Sequence, residues 1–467
     1  MVGVRWTGLL LLLASLGISA LLGISIGRSF DGGSVDLQGI YYATKCLIQH
    51  RDPYKLAELK AVYELEAKKI PSGSITPSQF VAPCNNLPST FLLMTPLALL
   101  PWTEASTLWV VFLLGGLFVA SMLTVQAGAR YAPNVSVFLA CALLMNCEVG
   151  IALANAGVIV VSLCTIGAWS LIRDKFAFVG QLCLAIGLSI KPHDVFPVLA
   201  YFVLARAARR MHALKALGMA TAIGLAATGW TAQVAPHWMQ EWHSNVSALS
   251  MRGSLNDPGP SAPWGRGAGQ VIDLQAAVSV VEDDPRIYDP VTYAVCGGLL
   301  LVWAFTALRA RCSEAGPWLA LASVVPLALL VTYHRPYDAK LLLLTIPACA
   351  KLWSEAGRTG KAALGLTAAA IGLTADIPLV VLSKLGANLS TSNASFFERV
   401  LTAAVLRPTP LVLLAMAVFY LWVYVRHSRV DGTTTCRSEL NSGDPQIALD
   451  EHLRSQTPIR ARYTGRL

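Results

Sequence analysis

The stretch LLVTYHRPYDAKLLLL, residues 329 to 344, sets His334, Arg335, Asp338 and Lys340 between two strongly apolar runs. Ionisable groups beside or within lipid-facing segments are costly and usually have a task. Cationic groups gathered in such a turn would stabilise negative charge developing on an anion, because a dry site strengthens electrostatics. Arg335 and Asp338 also have a simpler reading, as a local ion pair that holds the turn. Lys340 is either a third contact to the anion or a lysine that extends its ammonium to the interface.

A second concentration of chemistry lies near the start of the chain, in RSFDGGSVDLQGIYYATKCLIQHRDPYK. From Asp36 the spacing of Ile40, Tyr41, Thr44, Leu47 and Ile48 predicts a helix with an apolar stripe, lying along a membrane surface. Asp36 at its start is either a helix cap or a general base at the mouth of a lipid-accessible cavity. Asp31 competes for the second role. Asp52-Pro53-Tyr54 ends the helix, since a residue before proline is biased out of helical geometry. Lys191, followed by Pro192 and His193, is either an anion contact or an interfacial anchor. The stretch 237 to 270 holds Trp238, Trp242 and Trp264 with Arg252 and Arg266. Arg252 is a candidate second anion contact, and the tryptophans suit an interface belt better than a stacking platform for a ligand. No His, Asp and Glu spacing argues a metal site, so the expectation is metal-independent, cofactor-free chemistry.

The elements that position these residues follow from composition. Of 467 residues, 55% are hydrophobic and 13% charged, against roughly 25% charged in soluble domains. Apolar runs recur along the whole chain, and the expectation is an all-α polytopic membrane protein with about twelve transmembrane helices. They fall near 8 to 26, 105 to 127, 135 to 153, 157 to 173, 176 to 190, 194 to 206, 213 to 233, 291 to 309, 316 to 333, 337 to 353, 361 to 383 and 408 to 426. The stretch 87 to 102, interrupted by Pro88, Pro96 and Pro101, suits an interfacial or re-entrant piece.

The short basic loops, such as RDK (173 to 175) and RAARRMHALK (206 to 215), then share one side, which the positive-inside rule makes the cytoplasm. The net charge of +9 is accounted for by those loops and does not argue for nucleic acid. Both candidate concentrations fall on the extracytoplasmic side, with a first outer loop at 27 to 104 and a second at 234 to 290. Residues 1 to 429 form the transmembrane domain and 430 to 467 a disordered cytoplasmic tail. Most cysteines are small core residues; Cys46 and Cys84, both in the first outer loop, could pair. The sequons at Asn245, Asn388 and Asn393 carry no argument without a known host. The chain shows no P-loop and no dinucleotide fingerprint.

Three of these stretches carry a resemblance. DLQGIYYATKCLIQHRDPY resembles the Asp-x-x-x-Tyr-Tyr…Asp-Pro-Tyr start of glycosyltransferase family 87, membrane enzymes of the type-C fold that use polyprenyl-phosphate sugars. LPSTFLLMTPLALLP is similar to that family's proline-rich segment, and AIGLSIKPHDVFPVL to its apolar run ending in Lys-Pro. The likeness covers roughly residues 30 to 355, by short and degenerate motifs. The chain departs from the family pattern at Asn86-Leu87-Pro88 and at LANAG (153 to 157). The resemblance implies a type-C glycosyltransferase in the cell membrane, with its site on extracytoplasmic loops. It would transfer one sugar from a polyprenyl-phosphate donor to a lipid or glycan acceptor, with inversion and with Asp36 as the base. His334, Arg335, Lys191 and Arg252 would hold the donor phosphate. A flippase for a lipid-linked glycan, or an outer-face ligase using a lipid diphosphate donor, are the competing expectations.

Overall fold

The computed structural model describes residues 6–29, 34–68, 81–205, 208–260, 271–310, 316–379, 381 and 395–441. Every regular element among them is helical: α1 (Trp6–Ser29), α2 (Val35–Ile48), α3 (Leu56–Ala67), α4 (Pro88–Ala98), α5 (Trp102–Ala129), α6 (Pro133–Leu144), α7 (Glu148–Ala152), α8 (Ala156–Arg173), α9 (Ala177–Ile190), α10 (Pro192–Leu204), α11 (Ala208–Val234) and α12 (Trp238–Ser250) precede α13 (Leu274–Val281), α14 (Pro285–Arg309) and α15 (Gly316–Val331). A 3-10 helix at Asp338–Thr345 leads into α16 (Ile346–Ser354) and α17 (Arg358–Leu373), and two last helices span Phe396–Leu406 and Pro408–Asn441.

Among the described residues, five segments are long and apolar enough to cross a membrane: α1, α5, α8, α14 and Pro408–Ser428. Their outward faces carry large apolar side chains such as Leu21, Val111, Phe112, Leu301 and Phe305. Exposure of that kind and extent suits hydrocarbon and not water. Shorter apolar helices, among them α6, α9, α10 and α15, fill the space between.

Local chemistry sets the breaks. Proline stands at the first position of α4, α6, α10 and α14, where its missing N–H has no helical partner to lose. The apolar run 135 to 153, expected as one helix, is two, interrupted between α6 and α7. The run 337 to 353 likewise opens as eight residues of 3-10 helix before α16; such long 3-10 runs are uncommon and often mark a functional or strained stretch. The proline-rich stretch forms the eleven-residue α4, too short to cross. The last helix runs past residue 430 to Asn441, so it extends into the stretch expected as a disordered tail; 442 to 467 lie outside the described residues.

Two apolar cores result. The larger is built by α1, α5, α6, α8, α10, α15, the 3-10 helix and the last helix. A smaller one sits at one end, where Tyr41, Tyr42 and Leu47 of α2 pack with Leu59 of α3, Phe91 and Met94 of α4 and Trp102 and Trp109 of α5. The predicted stripe of α2 is therefore buried against protein: Ile40, Tyr41, Thr44 and Leu47 are all buried. This second core props α2 over the end of the bundle. Helix α1 reaches the same end by pressing on α7 through Gly23, where an added Cβ would lie 2.7 Å from the Glu148 carbonyl oxygen.

Candidate active site

Four chain segments meet at that end. The N-terminus of α2 is hung on the turn after α7 by two backbone bonds, Ser34 N–H to Ala152 O (2.9 Å) and Asp36 N–H to Leu153 O (3.2 Å). The turn itself is tight, with Ala154 in the left-handed region at φ 50°, and the Trp109 indole N–H fixes it by donating to the Ala154 carbonyl at 2.9 Å. Asn155 follows as N-cap of α8: its Oδ1 accepts from Gly157 N–H at 2.6 Å. Its amide nitrogen donates to Asp36 Oδ2 at 2.6 Å.

Asp36 is thus not a cap. Ser34 holds the cap position of α2, without a side-chain bond, and the half-buried Asp36 carboxylate points to Asn155 and the start of α8, the positive end of that helix dipole. Burial is the largest influence on this carboxyl and raises its pKa above the usual carboxylate value. The Asn155 hydrogen bond, and then the charges of Arg335 and Lys191, offset that in part. An acid so placed is a stronger base than a free aspartate.

The cations come from two breaks in the helical run. Between α9 and α10, Pro192 forces Lys191 into extended geometry (φ −144°, ψ 81°), which turns its ammonium inward. Lys191 forms an ion pair with Asp338 and lies 3.4 Å from Asp194 Oδ2. Between α15 and the 3-10 helix, Asp338 Oδ2 accepts the Arg335 backbone N–H at 3.0 Å. Where the sequence suggested a side-chain ion pair, this Arg335–Asp338 contact is made by the main-chain N–H. The guanidinium itself donates to the Tyr333 hydroxyl and, at 2.8 Å, to the Leu255 carbonyl. Asp194, Asp338 and His334 are fully buried and Arg335 is nearly so.

His334 is held on both sides. Nδ1 lies 2.8 Å from the Thr332 carbonyl oxygen and Nε2 3.0 Å from Asp194 Oδ1. A carbonyl only accepts, so Nδ1 carries a proton. Burial alone would lower the His334 pKa; the hydrogen bond and charge of Asp194, helped by Asp338, outweigh it and raise it.

The remaining candidates lie elsewhere. Arg252 is exposed and paired to Asp283, outside this group, although its loop reaches Arg335 through the Leu255 carbonyl. Lys340 is buried, which excludes the extended, interface-seeking lysine; its charge acts on Asp376 and Cys147, on another side of the 3-10 helix. Asp31, Trp264 and Arg266 lie outside the described residues. Trp242 donates to the Asn85 carbonyl and Trp238 packs on Tyr54, so both anchor α12 to the second core. Asn245 donates to the Tyr54 and Cys84 carbonyls, each at 3.0 Å, a structural role that leaves its amide engaged. Cys46 and Cys84 are buried free thiols.

Three contributors went unread in the sequence. Asn155 carried the signal of a capping residue before an apolar helix. His193 and Asp194 follow Lys191-Pro192 directly, in the first turn of α10, and only the fold brings them to His334. No family model matches the chain, and neither a curated protein nor a solved structure matches it.

Proposed function

We propose that this is an integral membrane glycosyltransferase of the type-C fold, with about twelve spans and its site at the extracytoplasmic face of the cell membrane. It moves one sugar from a polyprenyl-phosphate donor to a lipid or glycan acceptor. The observation that carries the reading is the meeting of one hydrogen-bonded, pKa-raised carboxylate with Lys191, His334 and Arg335 at one end of an apolar bundle. The resemblance of the Asp36, Pro88 and Lys191 stretches to glycosyltransferase family 87 supports it from the sequence side.

In this mechanism Asp36 takes the proton of the acceptor hydroxyl, whose oxygen attacks the anomeric carbon from the face opposite the phosphate. The bond from that carbon to the phosphate oxygen breaks, and the phosphate leaves with the electron pair. Lys191, His334 and Arg335 stabilise the charge that grows there, more in the transition state than in the ground state. A single base with no partner nucleophile gives inversion. The donor phosphate competes with Asp338 and Asp194 for the same cations, so binding exchanges ion pairs already present.

The test is sugar transfer from radiolabelled polyprenyl-phosphate monosaccharides in membranes containing the wild type or Asp36→Asn at equal abundance. Transfer lost in the variant supports the enzyme and its base. Transfer that survives moves the base elsewhere. A chain that transfers only from a lipid diphosphate glycan is a ligase, and one that moves a lipid-linked glycan across the bilayer without transfer is a flippase.

A further inference from the structure

The region around Asp194 holds more donor atoms than the phosphate reading uses. His193, Asp194 and His334 each bring one ligand atom, all within 4.8 Å of one another. Asp194 Oδ1 stands 3.0 Å from His334 Nε2 and 3.8 Å from His193 Nε2. In a tetrahedral zinc site, bonds of about 2.0–2.2 Å separate the ligand atoms by roughly 3.3–3.6 Å, and the two spacings to Asp194 fall on either side of that range.

Two independent features point to a ligand. Among the described residues, His193 Nε2 is shielded from solvent and has no hydrogen-bond partner; it lies beside the fully buried Asp194, whose Oδ2 is met only by the Lys191 ammonium at 3.4 Å. Unpaired buried polar atoms are costly, and a bound cation removes that cost. Second, the His334 Nδ1–H donates to the Thr332 carbonyl. This is the outer-shell bond that fixes the tautomer of a metal-ligating histidine and leaves Nε2 to coordinate.

We infer that His193, Asp194 and His334 form a divalent metal site, suited to zinc or a similar imidazole-preferring transition ion. Two nitrogen donors and one carboxylate disfavour magnesium and calcium, which take oxygen ligands. Three protein ligands leave a fourth position open, as in catalytic and not purely structural zinc sites. Lys191 lies 3.4 Å from the other Asp194 oxygen, so the ion and the ammonium share that carboxylate through different oxygens. The metal takes the place of the second His334 proton, so binding releases protons. That the open position accepts a donor phosphate oxygen rests on the function proposed above; the binding of the ion does not. The expectation of metal-free chemistry came from sequence spacing alone, in which His193-Asp194 and His334 are far apart.

The full chain, purified in nanodiscs with a tag free of histidine, is titrated with Co2+ and with Zn2+, without any sugar donor. Visible absorption reads the Co2+ ligand field, and elemental analysis reads Zn2+ per chain. The expected result is one ion per chain with the spectrum of a low-coordinate nitrogen and oxygen site. His193→Ala then weakens binding by more than the roughly 10- to 100-fold that loss of an outer-shell partner costs. Asp194→Asn and His193→Gln do the same, and each is checked for an unchanged size-exclusion profile. The inference is overturned by a wild type that takes up no stoichiometric ion, or by ion binding that His193→Ala and His193→Gln leave unchanged. Failure of sugar transfer has no bearing on either readout.

Discussion

Asn155 joins two helices with one side chain: its amide donates to Asp36 Oδ2 and its Oδ1 caps α8 through Gly157 N–H, both at 2.6 Å. The position and the acidity of the Asp36 carboxyl therefore depend on a residue far away in sequence.

Removing that amide has a definite sign. Burial raises the Asp36 pKa and the Asn155 hydrogen bond lowers it, so Asn155→Ala raises it further. A base works in its ionised form, so the acid limb of the rate profile moves to higher pH, with activity lost first at the acid end. Loss of the cap also costs about 0.5–2 kcal/mol. A pH–rate profile of sugar transfer checks this, and a variant curve that superimposes on the wild type would separate Asn155 from the chemistry.

Lys191 and Asp338 form a buried ion pair. Lys191→Met leaves Asp338 uncompensated, and such a loss costs about 3–5 kcal/mol. Adding Asp338→Asn restores much of that stability without restoring transfer. Thermal unfolding of the two single variants and the double variant reads the coupling; strictly additive losses would show that the pair is not a unit.

Gly157 sits where α8 approaches this pair. A Cβ there would lie 2.5 Å from Asp338 Oδ1 and 3.1 Å from Lys191 Nζ. Gly157→Ala is expected to cost about 1–3 kcal/mol and to reduce transfer severely. Gly115→Ala, on α5 with nothing within 4 Å of the added atom, is the control and should be neutral in both assays.

The two arginines proposed for the phosphate separate in the fold. Arg335 is buried in the turn, whereas the Arg252 side chain is 69% exposed in its pair with Asp283. Exposed pairs contribute about 0–1 kcal/mol. Arg252→Ala should leave transfer near the wild-type rate and Arg335→Ala should abolish it, measured at saturating donor. Equal losses would restore Arg252 to the site.

Much of the helical frame was legible, because apolar runs and prolines act locally. In the structure Pro88, Pro133, Pro192 and Pro285 stand at helix starts, although the sequence marked Pro88 only as an interruption of an apolar stretch. The interruptions at α6–α7 and at Asp338 were not legible: each falls at one or two polar residues within a stretch that hydropathy reads as a single helix, and only tertiary packing decides them. Asp36, Lys191, His334 and Arg335 were singled out because charge beside lipid is conspicuous, and the fold brings them together. Arg252 and Lys340 were grouped with them on the same ground and lie apart, since charge alone does not say which side of a helix a residue serves. Asp194 was missed for the opposite reason, as a carboxylate after Lys191-Pro192-His193 reads as an ordinary helix start until His334 is placed against it.

The cluster is also a timetable. Asp36, Asn155, Lys191 and Asp194 are synthesised well before His334 and Asp338, the partners that bury the charge of Lys191 and Asp194. At roughly 5–20 residues per second, the intervening chain takes on the order of ten seconds to appear. Through that interval the nascent protein carries an incomplete set of charges at the end of an apolar bundle. A chain that stops after α14 keeps this state permanently, which makes the 334–338 turn the point at which a finished molecule becomes distinguishable from an abandoned one.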